Sequence, residues 1–107
     1  MKNSEKPYFA VIFSSQLNSE AKGYPEMAKK MVELAVQQPG YVGVESVRDA
    51  SGHGITISYW ESEEAILGWK KHADHQIAQQ YGRKEAYDWY DLKICQVLRE
   101  RKFEKTS

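Results

Sequence analysis

The stretch ISYWESEEAILGWKKHADHQ, residues 57–76, gathers two tryptophans, one tyrosine and two histidines into twenty positions. Indole and phenol rings can wall an apolar pocket, and an imidazole can give or take a proton near neutral pH. The set therefore has the side chains needed to bind an aromatic hydroxyl compound and to deprotonate it. The same residue types also fill ordinary cores, so the face that each occupies decides between the two uses.

If residues 62–81 form one helix, Ile66, Trp69, Ala73 and Ile77 make a single stripe of the kind that packs on a sheet. Gln76 and Gln80 fall within about 20° of Trp69, where an uninterrupted core would place apolar groups, and this points to a cavity holding water or ligand. His72 lies about 60° from Trp69 and is expected to border that cavity as the catalytic proton carrier, whereas His75, at about 120°, is expected to face solvent. A break in KKHADH would redistribute these angles. Trp69, Gln76, Gln80, Tyr59 and Arg83 are the candidate substrate-binding residues, Arg83 because it follows the glycine that stops the helix and can hold an anion. Each has a plainer use: core packing for Trp69 and Tyr59, a solvated or helix-end position for Arg83. Glu45 alternates with Val44 and Val47 and can reach a cavity or stay solvated. Trp60 reads as structural or as part of a dimer edge, and Tyr87, Trp89 and Tyr90 as core or as aromatic walls.

The elements that must position these groups follow from the pattern around them. YFAVIFSSQ, residues 8–16, is aromatic and β-branched and gives way to polar LNSEAKG, as a strand running into a loop does. Pro25 can open a helix, and Ala28, Met31, Val32 and Ala35 then recur at helical spacing until QQPG stops the pattern. YVGVESVRD (41–49) and ITISYW (55–60) read as a hairpin whose turn, ASGHG, supplies glycines and leaves His53 at the surface. Ser62 suits an N-cap, Glu63 and Glu64 put negative charge in the first turn, and Gly82 is a stop signal. YDLKICQVLRER (90–101) alternates Leu92, Ile94, Gln96 and Leu98 with Asp91, Lys93, Cys95 and Val97, as a final strand does. The order β-α-β-β-α-β predicts a ferredoxin-like α+β domain: a four-stranded antiparallel sheet with both helices on one face. The first strand carries Phe9, Val11 and Phe13 on one side and Tyr8, Ala10 and Ile12 on the other. Both faces are therefore apolar, and a second copy is expected to cover the one that the helices leave bare.

With 107 residues, 41% hydrophobic and 28% charged, one domain over residues 1–107 is expected, its core spanning roughly 8–99. Fifteen Lys and Arg balance fifteen Asp and Glu, and no block of one sign offers a footprint for nucleic acid or a membrane surface. No apolar run approaches a membrane span and none resembles a leader, so a cytoplasmic location is expected. Cys95 is the single cysteine, which rules out an internal disulfide and a cysteine-based zinc site; it reads as a small apolar strand residue, and no metal is expected. No paired-carboxylate site, P-loop, GxSxG elbow, HExxH or dinucleotide fingerprint is present.

YFAVIFSSQ, QQPGYVGVESVRD, GITISYWESEEAILGWKKHADH and AQQYGR, in this order, resemble the antibiotic biosynthesis monooxygenase family over roughly residues 8–99. The most specific parts are Pro39-Gly40-Tyr41 and Tyr59-Trp60-Glu61-Ser62 followed by Glu64-Ala65 and Trp69. The resemblance implies a homodimeric α+β barrel, two sheets packed face to face, with a cavity between each sheet and its own helices. Some relatives oxygenate aromatic polyketides without metal or flavin, and others bind and open haem. The haem-opening branch uses an Asn on strand one, a Trp in the second helical region and a His about ten residues after it. Here Trp69 matches, but Gln79 stands at the tenth position and strand one offers Ser14 and Ser15. No cofactor is expected; haem is the alternative, with an incomplete residue set. The leading expectation is a small monooxygenase acting on an aromatic or quinone-like molecule. The rival is a dimeric ligand-binding or stress-related protein without turnover.

Overall fold

The computed structural model describes residues 8–19, 32–80 and 87–105, with the side chains of 73–80 outside that description. Strand β1 (Tyr8–Leu17) is followed by a helical segment, α1, described at residues 32–36, then by β2 (Tyr41–Arg48), β3 (His53–Trp60), α2 (Glu63–Gln80) and β4 (Tyr87–Val97). The strands lie in the order β2-β3-β1-β4 and every neighbouring pair is antiparallel, the ferredoxin-like arrangement.

Directly opposed residues of an antiparallel pair share a face. Phe9, Val11, Phe13 and Ser15 oppose Trp60, Ser58, Thr56 and Gly54 of β3 and Gln96, Ile94, Leu92 and Tyr90 of β4. All belong to the helix side, because Trp60 packs on Trp69 of α2. Tyr8, Ala10, Ile12, Ser14 and Gln16 face the other way with Tyr59, Ile57 and His53 of β3 and Lys93 and Cys95 of β4. A register shift between Tyr41 and Gly43 puts Val44, Ser46 and Arg48 on the helix side and Glu45 and Val47 on the outer side.

The start of α2 follows local chemistry. Ser62 Oγ accepts the Ala65 N–H at 3.1 Å, and Glu63 and Glu64 occupy the first turn, where the helix dipole favours negative charge. Gly40 ties this helix start to the entry of β2. Its carbonyl accepts the Glu61 N–H at 2.8 Å, its φ is +85°, and a Cβ there would lie 2.6 Å from Ala65 Cβ. α2 runs unbroken for 18 residues, so KKHADH is not a hinge. Its helicity carries straight through Lys70–His75, and the helical angles hold for its backbone. None of its described length is apolar enough to cross a membrane.

Two boundaries differ from the sequence reading. The β2–β3 turn is shorter than ASGHG: His53 and Gly54 already belong to β3. Asp49 Oδ1 accepts from Ser51 N at 2.9 Å, Ser51 Oγ at 2.6 Å and His53 N at 3.1 Å, so the turn closes within residues 49–52. These bonds, the Ser51 hydroxyl foremost, hold the Asp49 carboxyl below its usual range. β4 begins at Tyr87 instead of Tyr90 and ends at Val97, because Gln16 and Leu17 at the end of β1 remain available to pair with Trp89 and Tyr87.

Two glycine substitutions should separate these effects. Gly40→Ala is expected to destabilise by at least about 2 kcal/mol, through positive φ and the contact with Ala65. Gly68→Ala, on an exposed helix position with no atom within 4 Å of the new methyl group, is expected to stabilise by ~1 kcal/mol. Urea unfolding of both variants checks the pair.

Candidate functional site

The helix side of the sheet carries an aromatic cluster at each end. Where β1 begins and β3 finishes, Trp60 is fully buried, stacked on Trp69 with ring centroids 6.1 Å apart and met edge-on by Tyr41 at 5.8 Å. A buried indole N–H needs an acceptor, and Nε1 donates to Ser58 Oγ at 2.9 Å. Val11, Ala35 and Ile66 complete this core. At the other end, the Phe13 ring lies 5.5 Å from Tyr87 and 5.4 Å from Tyr90. Between the clusters, Val11, Leu92 and Ile94 share the face, with Leu92 40% and Ile94 46% exposed. The middle of the face is thus an apolar floor, while the buried core among the described residues lies at the Trp60 end.

A polar pair closes the Phe13 end. Ser15 is fully buried, and its hydroxyl accepts from Arg48 Nη2 at 3.0 Å, while Arg48 Nη1 donates to the Gly52 carbonyl. The guanidinium lies against Gly54, where a Cβ would come within 2.7 Å of Arg48 Cζ, so the cation depends on the missing side chain. An apolar floor bounded by stacked indoles at one end and by a hydroxyl with a fixed cation at the other can hold a flat apolar molecule carrying one polar or anionic substituent.

The residues singled out by sequence divide three ways. Trp69 is half-buried and packs against the core through its stack on Trp60, as its place on the helix stripe predicts. His72, about 60° round the helix, is exposed at the edge of that stripe. The side chains of Gln76, Gln80, His75 and Gln79 lie outside the described residues, as does Arg83. Tyr59 is corrected: it sits one position out of phase with Trp60 and opposes Ala10, on the outer face. There its hydroxyl donates to Glu45 Oε2 at 2.8 Å, and its ring meets Tyr8 at 6.0 Å, so neither Tyr59 nor Glu45 borders the space beside Trp69. Trp89 and His53, with ring centroids 5.7 Å apart, are likewise on the outer face. Trp60 is core and no part of a dimer edge. Ser15, not Ser14, is the strand-one serine on the helix side.

Sequence reasoning gave no site role to Phe13, Leu92, Ile94 and Arg48, and named Ser15 only together with Ser14. Counting alternate positions along β1 and β4 finds the first three and separates the two serines. Arg48 was hidden because the register shift at Gly43 moves every later residue of β2 by one face. Among the described residues, no three His, Cys, Asp or Glu side chains come together as a metal site would require.

A family model described as antibiotic biosynthesis monooxygenase matches residues 7–81. The chain belongs to this family. Within it, the chain is 48% identical over 106 residues to the uncharacterized protein YqjZ of Bacillus subtilis, covering 99% of this chain and 93% of the relative. It is 30% identical over 94 residues to a jasmonate monooxygenase of Pyricularia oryzae, covering 83% of this chain but only 43% of that longer protein. Among solved structures, a point mutant of SnoaB, a cofactor-independent oxygenase from Streptomyces nogalater, superposes with a TM-score of 0.67 at 10% identity over 81% of this chain and 89% of that one. This likeness extends to the fold alone.

Trp69→Ala should cost about 2 kcal/mol, less than a fully buried tryptophan would, and Ser58→Ala should cost ~1–3 kcal/mol by stranding the Trp60 N–H; thermal melts compare them. On the outer face, Tyr8 Oη donates to Glu100 Oε1 at 2.7 Å, and that bond to a carboxylate, with burial and the Glu100 charge, pushes the phenol up to about 12. A raised value means that the contact supports the fold below the ordinary phenol range and is lost as pH climbs toward 12. Phenolate absorbance in the Glu100→Gln protein should show one tyrosine returning toward the ordinary range.

Proposed function

We propose that this chain is a small oxygenase that binds a flat, electron-rich aromatic or quinol-like molecule on the floor formed by Val11, Phe13, Leu92 and Ile94, without metal or flavin. The observation that carries the reading is the partly open apolar face between the Trp60–Trp69 stack and the Arg48–Ser15 pair. Trp69 packs against the ring, Arg48, steadied by the buried Ser15 hydroxyl, holds its oxygen substituent, and His72 at the rim accepts the proton of a substrate hydroxyl.

In the enol tautomer of an activated CH₂–C=O group that hydroxyl proton is one of the two CH₂ hydrogens, and its removal makes the ring an electron donor to O₂. Oxygen then adds at the former CH₂ carbon, His72 returns the proton to the peroxide to give a hydroperoxide, and loss of water leaves a carbonyl. One oxygen atom stays in the product and the other leaves as water with the two hydrogens of the CH₂ group. The role of the protein is to exclude bulk water from the anion and to hold the ring flat. Haem fits the residues less well: Gln79 stands where the haem-opening relatives carry an imidazole, and an amide is a poor axial ligand.

The same reading includes a homodimer joined through the outer sheet face. Ala10 is 5% exposed there while Ile12, Ile57, Cys95 and Val97 are only half-covered, an apolar surface that a second sheet would bury.

Oxygen uptake with a panel of anthrone-like and quinol substrates tests the chemistry. Turnover should fall at least tenfold in His72→Ala with binding retained, whereas Leu92→Asp should abolish binding. Binding without oxygen uptake across the panel would favour a non-catalytic ligand carrier. A Soret shift with haem, followed by breakdown that survives His72→Ala, would overturn the assignment.

A further inference from the structure

Strand register divides the helix side of the sheet lengthwise. Arg48, Gly54, Ser15 and Tyr90 form one row across β2, β3, β1 and β4, and Ser46, Thr56, Phe13 and Leu92 form the next. In the row beyond, Val44 and Ser58 stand beside Val11 and Ile94. The β1–β4 half of the face is the apolar floor, whereas in the first two rows the β2–β3 half carries a guanidinium and two hydroxyl groups. A flat molecule on the floor therefore meets hydrocarbon beneath it and polar groups along one long edge.

The hydroxyl groups of the β2–β3 half are not alike. Ser58 is 8% exposed, and its Oγ is already taken by Trp60 Nε1. Ser46 is exposed and Thr56 half-buried, with their side-chain oxygens 2.7 Å apart, and among the described residues these two hydroxyl groups bond only to each other. Whichever donates, the other keeps its own O–H to give, and lone pairs remain on both. The pair can thus serve a ligand oxygen as donor or as acceptor.

The neighbouring anchor has a fixed place. Arg48 donates to Ser15 Oγ and to the Gly52 carbonyl. A Cβ on Gly54 would lie 2.7 Å from Arg48 Cζ and 3.0 Å from both Nε and Nη1, nearly equal distances, so the guanidinium lies flat over Gly54. Gly54 and Thr56 are two residues apart on β3, which sets the two anchors roughly 7 Å apart along the strand. Oxygens at opposite corners of a six-membered ring match that spacing better than adjacent oxygens do.

We infer that the Ser46–Thr56 hydroxyl pair is a second polar anchor on the floor proposed above, and that with Arg48 it selects a flat ring bearing two oxygens in 1,4 relation. The inference rests on that floor and adds the edge that orients a molecule on it.

Equilibrium dialysis of the full chain under nitrogen, with ascorbate present, tests it with 1,4-dihydroxynaphthalene, its 1,2 isomer and 1-naphthol, which Arg48 can hold alone. The parent should bind the 1,4 compound about five- to tenfold tighter than the other two, the worth of one further hydrogen bond. Ser46→Ala combined with Thr56→Val should bring that ratio to about twofold or less and leave the 1-naphthol dissociation constant unchanged, whereas Thr56→Ser should keep the preference. Circular dichroism melts of all variants check that the fold is retained. A parent that binds the three probes equally, or a preference that survives the double substitution, overturns the second anchor and leaves the floor standing. A folded parent that binds none of the three overturns both.

Discussion

The burial of the Trp60 indole is the constraint on which the remaining structure depends. A ring of that size with no solvent exposure must be surrounded, and its neighbours come from every other layer: Trp69 from α2, Tyr41 from β2, Val11 and Phe9 from β1 and Ala35 from α1. Its N–H requires an acceptor, which Ser58 supplies from two residues back on the same strand. The close approach of Gly40 to Ala65 follows from this arrangement, because the entry of β2 and the first turn of α2 must both reach the indole. Once α2 is anchored there, the chain has to travel the length of the sheet to reach Tyr87, which pairs with Leu17 at the far end. On the face below, Leu92 and Ile94 are left partly open.

Strand alternation then divides the labour between two faces. Each odd position of β1 belongs to the helix side and each even position to the outer side, which is why Ser15 meets Arg48 whereas Ser14 opposes Ile55 and Asp91 on the other face. The outer face is not uniformly apolar. Its tyrosines, Tyr8 and Tyr59, each donate to a glutamate, so their hydroxyl groups already have partners before anything covers them. Both hydroxyl groups thus have partners within the chain, whereas the two carboxylates that accept from them still depend on water or a cation for the rest of their hydrogen bonds.

Membership of the antibiotic biosynthesis monooxygenase family and a superposition at 10% identity together illustrate what such a fold preserves. The alternation of apolar residues and the strand order survive extensive substitution because they depend on hydrophobic character and not on residue identity. Chemistry depends on a few positions, and those are the ones free to change. In this chain, the helix-side floor ends in a serine and an arginine joined by a hydrogen bond.

The sequence alone determined the element order, the N-cap at Ser62, the stop before Gly40 and the two-sided character of β1, because each is written in local spacing or in one residue's backbone preference. It also placed Trp69 on the face of α2 that packs on the sheet, since a helical period of 3.6 residues places a side chain on a face without reference to the rest of the molecule. The placement of Tyr59, Glu45 and Arg48 was decided only in three dimensions. A single extra residue in β2 inverts every face assignment after it, and whether a strand carries such a bulge depends on the neighbour it pairs with. The length of β4 was likewise settled by the reach of β1, and the hydrogen bond between Tyr8 and Glu100 joins residues 92 positions apart. Contacts of that kind join residues with no periodic relation, so no pattern along the chain announces them.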